Sequence, residues 1–120
     1  PELVEQRAID ERIDSVFYSD EYAAAIVRNT NGEYGSRLEV YKKDGTHVLS
    51  KEFNFEYTNA DLDGDLIILY NEDSCRIYNM SGTEKLDAAF DFPVSKIRKG
   101  RFPGTLVVTG PQQMRELKLR

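Results

Sequence analysis

Cysteine, histidine and tryptophan are scarce in this sequence of 120 residues, which has one cysteine, one histidine and no tryptophan. A single cysteine, Cys75, excludes an intrachain disulfide, but it does not decide between a reducing and an oxidising compartment. A single histidine, His47, excludes a histidine-rich metal site, and any Ser-His-Asp triad would have to use it. The sequence therefore offers few of the side chains on which metal and nucleophilic sites are built.

Long apolar runs are missing too. No stretch approaches the roughly 18 residues that a membrane-spanning helix needs, and no signal peptide opens the chain. The first residue is Pro1 rather than Met, from which we expect a piece of a longer protein. The length suits a single domain.

A net positive charge is also missing, since 21 acidic residues against 16 basic ones give a net charge of -5. Such a surface repels the phosphate backbone of nucleic acids. The nearest approach to a basic patch is "KIRKGR" (96–101), which has no interleaved aromatic residue for base stacking. A solvated turn explains that segment, and we expect no nucleic-acid partner.

What the sequence does contain is an internal repeat. The segment "YKKDGTHVLSKEFNF" (41–55) is echoed by "YNMSGTEKLDAAFDF" (78–92), 37 positions later. A repeat of this kind indicates copies of one structural unit that stack on each other. The matching pairs are Tyr41 and Tyr78, Gly45 and Gly82, Thr46 and Thr83, Leu49 and Leu86, Phe53 and Phe90, and Phe55 and Phe92.

Each unit consists of short strand-like segments separated by polar turns. In the second unit, "DLIILY" (65–70) is the β-branched apolar run of a buried strand, and "CRIYN" (75–79) alternates. In the first unit, Asp44-Gly45 predicts a type I′ hairpin turn, because Gly tolerates the positive φ that the turn needs. The expected strands are 14–19, 23–28, 37–41, 47–53, 57–62, 65–70, 75–79, 84–92, 94–99, 105–109 and 114–120.

This order predicts an all-β, β-propeller-like fold of consecutive four-stranded antiparallel blades, about three blade-equivalents in one domain, 1–120. The blades would be 14–55, 57–92 and an incomplete last blade at 94–120. Residues 3–13 fit the outer strand of a preceding blade, although their composition also suits a helix. Because propellers usually have four to eight blades, we expect missing upstream blades or other copies of the chain to cover the terminal sheets.

Aromatic residues recur in the same register in both units. Phe53 and Phe55 in the first unit correspond to Phe90 and Phe92 in the second. A ligand site would not need the same residue in every unit, whereas repeated packing does. We therefore expect these four rings between neighbouring blades.

The sequence also resembles known protein families. The segment "VYKKDGTHVLSKEF" (40–53) resembles the blade repeats of quinoprotein-like and WD-repeat-like propellers. The run "EYGSRLEVYKKDGTHVLSKEFNFEYTNADLDGDLIILYNEDSCRIYNMSGTEK" (33–85) and the ending "LVVTGPQQMRELKLR" (106–120) are similar to the uncharacterised bacterial domain-of-unknown-function family 5711. The resemblance implies the C-terminal part of a β-propeller in Gram-positive bacteria, outside the cytoplasmic membrane and after a single N-terminal membrane helix. It implies no activity.

The strongest chemical motif is "DLDGD" (61–65), in which Asp61, Asp63 and Asp65 imitate the start of a calcium loop, with Glu72 at the twelfth position. A calcium loop of that type needs Gly at its sixth position, where this chain has Leu66. A tight Asp-Gly turn between two strands explains the residues better. The three aspartates stay weak metal candidates, and we expect no metal and no cofactor.

Other candidate catalytic groups also have plain structural explanations. His47 begins an outer strand, where an exposed edge residue is expected, and Cys75 is expected to be a small, semi-buried apolar residue. The carboxylate pairs Glu72-Asp73 and Asp20-Glu21 fall in expected turns. A glycosidase would need two carboxylates held across a cleft, and residues in turns give no reason to expect that arrangement.

We therefore expect a non-catalytic propeller scaffold that binds a protein or a cell-envelope component, extracytoplasmic and membrane-anchored in the full-length protein. The long loop 29–36 breaks the symmetry of the repeat, and its Tyr34 is the expected contact residue. Two alternatives stay open. The chain could be part of a hydrolase-like propeller enzyme whose active site lies mostly on missing blades, or a purely structural segment that closes the ring.

Overall fold

The computed structural model describes residues 12–28 and 35–119, and all regular structure in those ranges is β-strand. The strands form three antiparallel sheets with the orders β1-β2-β3-β4 (sheet 1), β5-β6-β7-β8 (sheet 2) and β11-β10-β9 (sheet 3). This confirms the all-β, propeller-like fold class. The strands are β1 Arg12–Tyr18, β2 Tyr22–Arg28, β3 Ser36–Lys42, β4 His47–Phe53, β5 Asn59–Asp63, β6 Leu66–Tyr70, β7 Ser74–Asn79, β8 Glu84–Ala89, β9 Lys96–Lys99, β10 Thr105–Thr109 and β11 Met114–Lys118.

The strands begin and end close to the expected positions, with informative differences around two of them. The strand expected over 84–92 ends at Ala89, although the Phe90 amide still donates to the Asp73 carbonyl at 2.8 Å, in register with the pairs of β7 and β8. The strand expected from 94 begins at Lys96, since the Val94 amide donates to the Glu72 carbonyl at 2.7 Å. Of the outer strand expected over 3–13, residues 3–11 lie outside the described residues, and the last two belong to β1.

The prediction of a type I′ turn at Asp44-Gly45 is wrong. Gly45 has a φ of 95°, but no non-glycine residue in the described ranges has a positive φ, so Asp44 does not adopt the type I′ conformation. The Gly45 amide donates to the Lys42 carbonyl at 2.9 Å, and the ladder shifts register beside Tyr41. These features belong to a three-residue loop that ends in a left-handed glycine and a bulge. Asp44 favours this loop, since its carboxylate accepts the Thr46 amide at 2.9 Å.

Two hydrophobic cores join the three sheets. The first core lies between sheets 1 and 2, and the second lies between sheets 2 and 3. Sheet 2 therefore has both faces covered, which explains why all five residues of β6 are buried. Residues of the first core include Phe17, Ile26, Leu38, Val40, Phe53, Leu62, Ile67, Leu69 and Tyr78, and those of the second include Leu66, Ile68, Cys75, Ile77, Phe92, Ile97, Leu106 and Val108.

The four recurrent phenylalanines pack at these two interfaces, as expected. Phe53 is buried in the first core and Phe92 in the second, while Phe55 and Phe90 are partly buried against the first and second cores respectively. The packing is not the same in both copies, because the buried ring is Phe53 in the first unit but Phe92, the equivalent of Phe55, in the second. The repeat therefore conserves the interface rather than each ring's position in a strand.

The meander divides the connections between two edges of the sheets. The connections 19–21, 43–46, 64–65, 80–83 and 100–104 lie along one edge, which we call the hairpin edge. The connections 54–58, 71–73, 90–95 and 110–113 lie along the other, together with the end of β2 and the start of β3, and we call it the loop edge. The segments that link one sheet to the next all belong to the loop edge, so that edge brings together residues of neighbouring blades.

Candidate functional site

The loop edge of sheet 1 contains a cavity of about 220 Å³. Its walls are the end of β2, the start of β3 and the segment that links sheet 1 to sheet 2. Most of the lining groups are polar, and they include a cation, a carboxylate, an amide and two hydroxyls. The lining residues are Arg28, Gly35, Ser36, Asn54, Phe55, Glu56 and Tyr57.

One wall is fixed by the amide side chain of Asn54. Its Oδ1 accepts the Gly35 backbone amide at 2.6 Å, which ties the start of β3 to the linking segment. A Cβ on Gly35 would lie 3.2 Å from the same oxygen, so glycine permits this close approach. The Asn54 carbonyl accepts the Arg76 guanidinium at 3.1 Å, and that guanidinium also lies 5.2 Å from the centre of the Phe55 ring. The wall is thereby anchored to sheet 2.

The opposite wall is a hydrogen-bond network around Tyr57. Its hydroxyl donates to Asp14 at 2.7 Å and lies 2.9 Å from the Ser15 hydroxyl, while Arg28 lies 3.5 Å from the same Asp14 carboxylate. Burial of the ring, together with the neighbouring Asp14 carboxylate, raises the pKa of Tyr57 to about 12. Tyr57 is therefore a neutral donor near pH 7, and it is no candidate for a general base.

Tyr34, the contact residue expected from the sequence, lies outside the described residues, so its role stays a prediction. The next two residues along the chain, Gly35 and Ser36, do line the cavity. Sequence reasoning missed Arg28, Asn54 and Tyr57. No local pattern identifies them, because the cavity joins segments about twenty positions apart in the sequence, as the contact of Gly35 with Asn54 shows.

The three aspartates of the "DLDGD" segment do not converge on a shared site. The Asp61 carboxylate accepts the Leu62 amide at 2.9 Å, and the Asp63 carboxylate accepts the Lys99 amide of sheet 3 at 2.8 Å. Asp65 lies 3.7 Å from the Lys99 ammonium. Gly64 has a φ of 63° and forms the expected tight turn between β5 and β6. Asp63 and Asp65 thus connect sheet 2 to sheet 3 at the hairpin edge.

Across 12–28 and 35–119, no three side chains of the His, Cys, Asp and Glu types are grouped closely enough to hold a metal ion.

His47 belongs to a small polar cluster on sheet 1. Its Nε2 lies 3.0 Å from the Glu39 carboxylate, which also accepts Arg37 Nε at 2.6 Å and the Ser50 hydroxyl at 2.9 Å. Burial acts to raise the pKa of Glu39, but the hydrogen bonds from His47, Arg37 and Ser50 outweigh it and lower that pKa. Ser50 bonds to the carboxylate rather than to the imidazole, so the three side chains do not form the relay of a hydrolytic triad.

Cys75 is fully buried in the second core, deeper than the semi-buried position expected from the sequence. Burial raises the pKa of its thiol to about 11. The thiol is therefore protonated and shielded near pH 7, the opposite of an activated nucleophile.

Within the described ranges, no helix has the length and apolarity to cross a membrane.

Comparison with known proteins supports the fold and offers no activity. A family model described as "Family of unknown function (DUF5711)" matches residues 1–119. A search of curated proteins gives no match to this chain. Among solved structures, "Crystal structure of HIRA(644-1017)" is similar, with a TM-score of 0.60 and 12% sequence identity over 95% of this chain. The chain spans 39% of that structure. At this identity the likeness shows the fold alone.

Proposed function

Because the chain belongs to this family of unknown function (DUF5711), we propose a function from its fold and site: it is part of a non-catalytic propeller scaffold that binds a protein or a cell-envelope component. The single observation that carries the proposal is the polar cavity at the loop edge of sheet 1. It offers donors and acceptors of several kinds without a reactive centre.

Arg28 and Glu56 give the cavity one charge of each sign, and Ser36, Asn54 and Tyr57 add neutral hydrogen-bonding groups. Mixed groups of this kind suit the backbone and side chains of a protein segment, which also presents donors and acceptors together. Fixed walls favour binding, because less conformational entropy is lost when a partner docks. The network of Tyr57, Asp14 and Ser15 supplies one such fixed wall.

The chemistry of the described residues favours binding over catalysis. His47 and Ser50 both bond to Glu39, and Cys75 is a buried thiol. Two of the three aspartates that resembled a metal site, Asp63 and Asp65, connect neighbouring sheets instead. We also propose that the full-length protein lies outside the cytoplasmic membrane and is tethered by an N-terminal helix, as the family resemblance implies.

Site-specific crosslinking in the full-length protein tests the proposal. A photoreactive phenylalanine analogue at position 34 is expected to capture one reproducible protein or envelope polymer in intact cells. The matched control is the same analogue at Phe102, which is 59% exposed on the hairpin edge. The Arg28→Ala substitution should reduce capture at position 34, because it removes the cavity's cation. Equal capture at positions 34 and 102, or capture unchanged by Arg28→Ala, would contradict the proposal.

A further inference from the structure

The polar cavity at the loop edge of sheet 1 contains hydrogen-bonding groups that the described part of the chain leaves unused. The most buried of them is Ser36, which lines the cavity and is only 8% exposed. Its hydroxyl has no hydrogen-bond partner among the described residues. Ser36 shares the face of β3 on which Leu38 packs toward sheet 2, so its side chain is directed toward the segment that links the two sheets. Since buried polar groups are normally paired, this hydroxyl points to a ligand that supplies its partner.

Asn54 presents a second unused group. A backbone amide can only donate, so the bond from the Gly35 amide requires the side-chain oxygen of Asn54 to face Gly35. The Nδ2 group is thereby turned away from Gly35, and within the described ranges it has no partner. The Asn54 carbonyl also accepts the Arg76 guanidinium, which fixes the residue. Asn54 therefore offers two N–H donors from a fixed position.

Glu56 supplies a complementary acceptor. Its carboxylate pairs with no other described side chain. Its backbone carbonyl accepts the Asn71 side-chain amide at 2.6 Å, which fixes the main chain at this point of the cavity wall. Glu56 is exposed, so a bound group can reach the carboxylate without displacing another residue.

The charges around the cavity disfavour an anionic ligand. Arg28 lies 3.5 Å from the Asp14 carboxylate, so these two charges offset each other. Glu56 then leaves the cavity with a net negative charge near pH 7, which repels a carboxylate or a phosphate. A lysine or arginine side chain would pair with Glu56, but it has no acceptor for the Asn54 amide. A neutral ligand with both donors and acceptors satisfies all three unused groups.

The size of the cavity favours one side chain of a larger partner. Its volume is about 220 Å³, whereas sites for separate small molecules usually have roughly 300–1,000 Å³. Pockets at protein interfaces commonly hold a single anchoring side chain. The partly buried Phe55 ring supplies an apolar wall for the methylene groups of such a side chain.

We propose that the cavity binds the carboxamide side chain of a glutamine or asparagine in a partner protein, an inference that rests on the proposed function. The carboxamide oxygen accepts from the Asn54 Nδ2 group and the Ser36 hydroxyl, and the carboxamide nitrogen donates to Glu56. A carboxamide is neutral and carries an acceptor and two donors at one tip. Three side chains of similar length each lack one of these properties: glutamate is charged, methionine forms no strong hydrogen bonds, and lysine has no acceptor.

Peptide pools measure this preference in the full-length protein. Each pool contains seven-residue peptides with one fixed central residue and randomised flanks from which glutamine and asparagine are excluded. Fluorescence anisotropy is expected to give the glutamine pool a dissociation constant at least about 10-fold below those of the glutamate, methionine and lysine pools. The reason is that each competitor leaves a cavity group unpaired or faces a like charge.

Two substitutions connect the preference to the cavity. Ser36→Ala removes the buried hydroxyl, and it is expected to weaken binding of the glutamine pool by about 5–10-fold, the effect of one hydrogen bond, without weakening the methionine pool. Glu56→Gln removes the negative charge, so the glutamate pool should gain affinity relative to the glutamine pool. The matched control is Glu72→Gln, the same change at an exposed carboxylate of the loop edge outside this cavity, which should alter neither pool.

Three outcomes would overturn the proposal: equal or absent binding of the four pools, a preference for another central residue, or a glutamine preference that survives both Ser36→Ala and Glu56→Gln. None of them contradicts the proposed function, which depends on capture at position 34 and its loss in Arg28→Ala. Absent binding of every pool together with capture of an envelope polymer would assign the cavity to that polymer. Circular dichroism checks the fold of each variant. If Ser36→Ala unfolds, the exposed Glu56 still allows the comparison of the glutamine and glutamate pools to decide.

Discussion

Gly45 and Gly82 are single residues that occupy equivalent turns of the repeat, yet their surroundings differ. Both have positive φ values, 95° and 85°, which side-chain-bearing residues rarely adopt. A Cβ on Gly45 would meet no atom within 4 Å, whereas a Cβ on Gly82 would lie 3.0 Å from Leu49 Cδ1. Leu49 belongs to β4 of sheet 1, so the turn at Gly82 touches the neighbouring blade.

This contrast separates backbone strain from interface packing. Gly45→Ala is expected to lower the free energy of unfolding by about 1 kcal/mol, the usual cost of a left-handed non-glycine residue. Gly82→Ala should cost about 1 kcal/mol more, since Leu49 must also move away. Urea unfolding at a fixed protein concentration measures both values. Equal losses for the two variants would show that the contact with Leu49 has no energetic weight.

At the scale of the elements, Phe53 and Phe90 are the same residue of the repeat in two environments. Phe53 is 3% exposed at the end of β4, and its ring lies 6.4 Å from those of Tyr57 and Tyr78. Phe90 lies just beyond β8 and is only partly buried. The equivalent ring is therefore less buried in the second copy, so the two rings should not contribute equally to stability.

Alanine at each position tests this inequality. Phe53→Ala is expected to cost about 3–5 kcal/mol, the usual range for a fully buried phenylalanine. Phe90→Ala should cost about 1–2 kcal/mol, because less apolar area returns to water. The ratio of the two losses in denaturant unfolding is the relevant measurement. Similar losses would mean that the ring at Phe90 packs as tightly as the ring at Phe53.

The same elements show what the sequence could predict. Period-2 alternation and β-branched runs located β6, β7 and β10 well, because strand formation there depends on neighbouring residues. The late start of β9 was not predictable, since it depends on a hydrogen bond from the Val94 amide to the Glu72 carbonyl of sheet 2. The cavity was missed for a similar reason, as Arg28 and Tyr57 become neighbours only when sheet 1 has formed. Local chemistry thus predicted the strands, whereas tertiary contacts decided their ends and the site.

At the scale of the whole molecule, three central strands lie in sheets with different numbers of covered faces. β2, β6 and β10 each have a hydrogen-bonded partner strand on both sides. Among the residues that the structure describes, sheet 2 has a core on each face, but sheets 1 and 3 have a core on one face only. Opening β6 must therefore disrupt both cores, while opening β2 or β10 disrupts one.

Amide hydrogen exchange can measure this difference strand by strand. The amides of β6 should exchange at least about 30-fold more slowly than those of β2 and β10, because local opening follows local burial. If β2 and β10 were as protected as β6, the number of covered faces would not set the stability of a sheet.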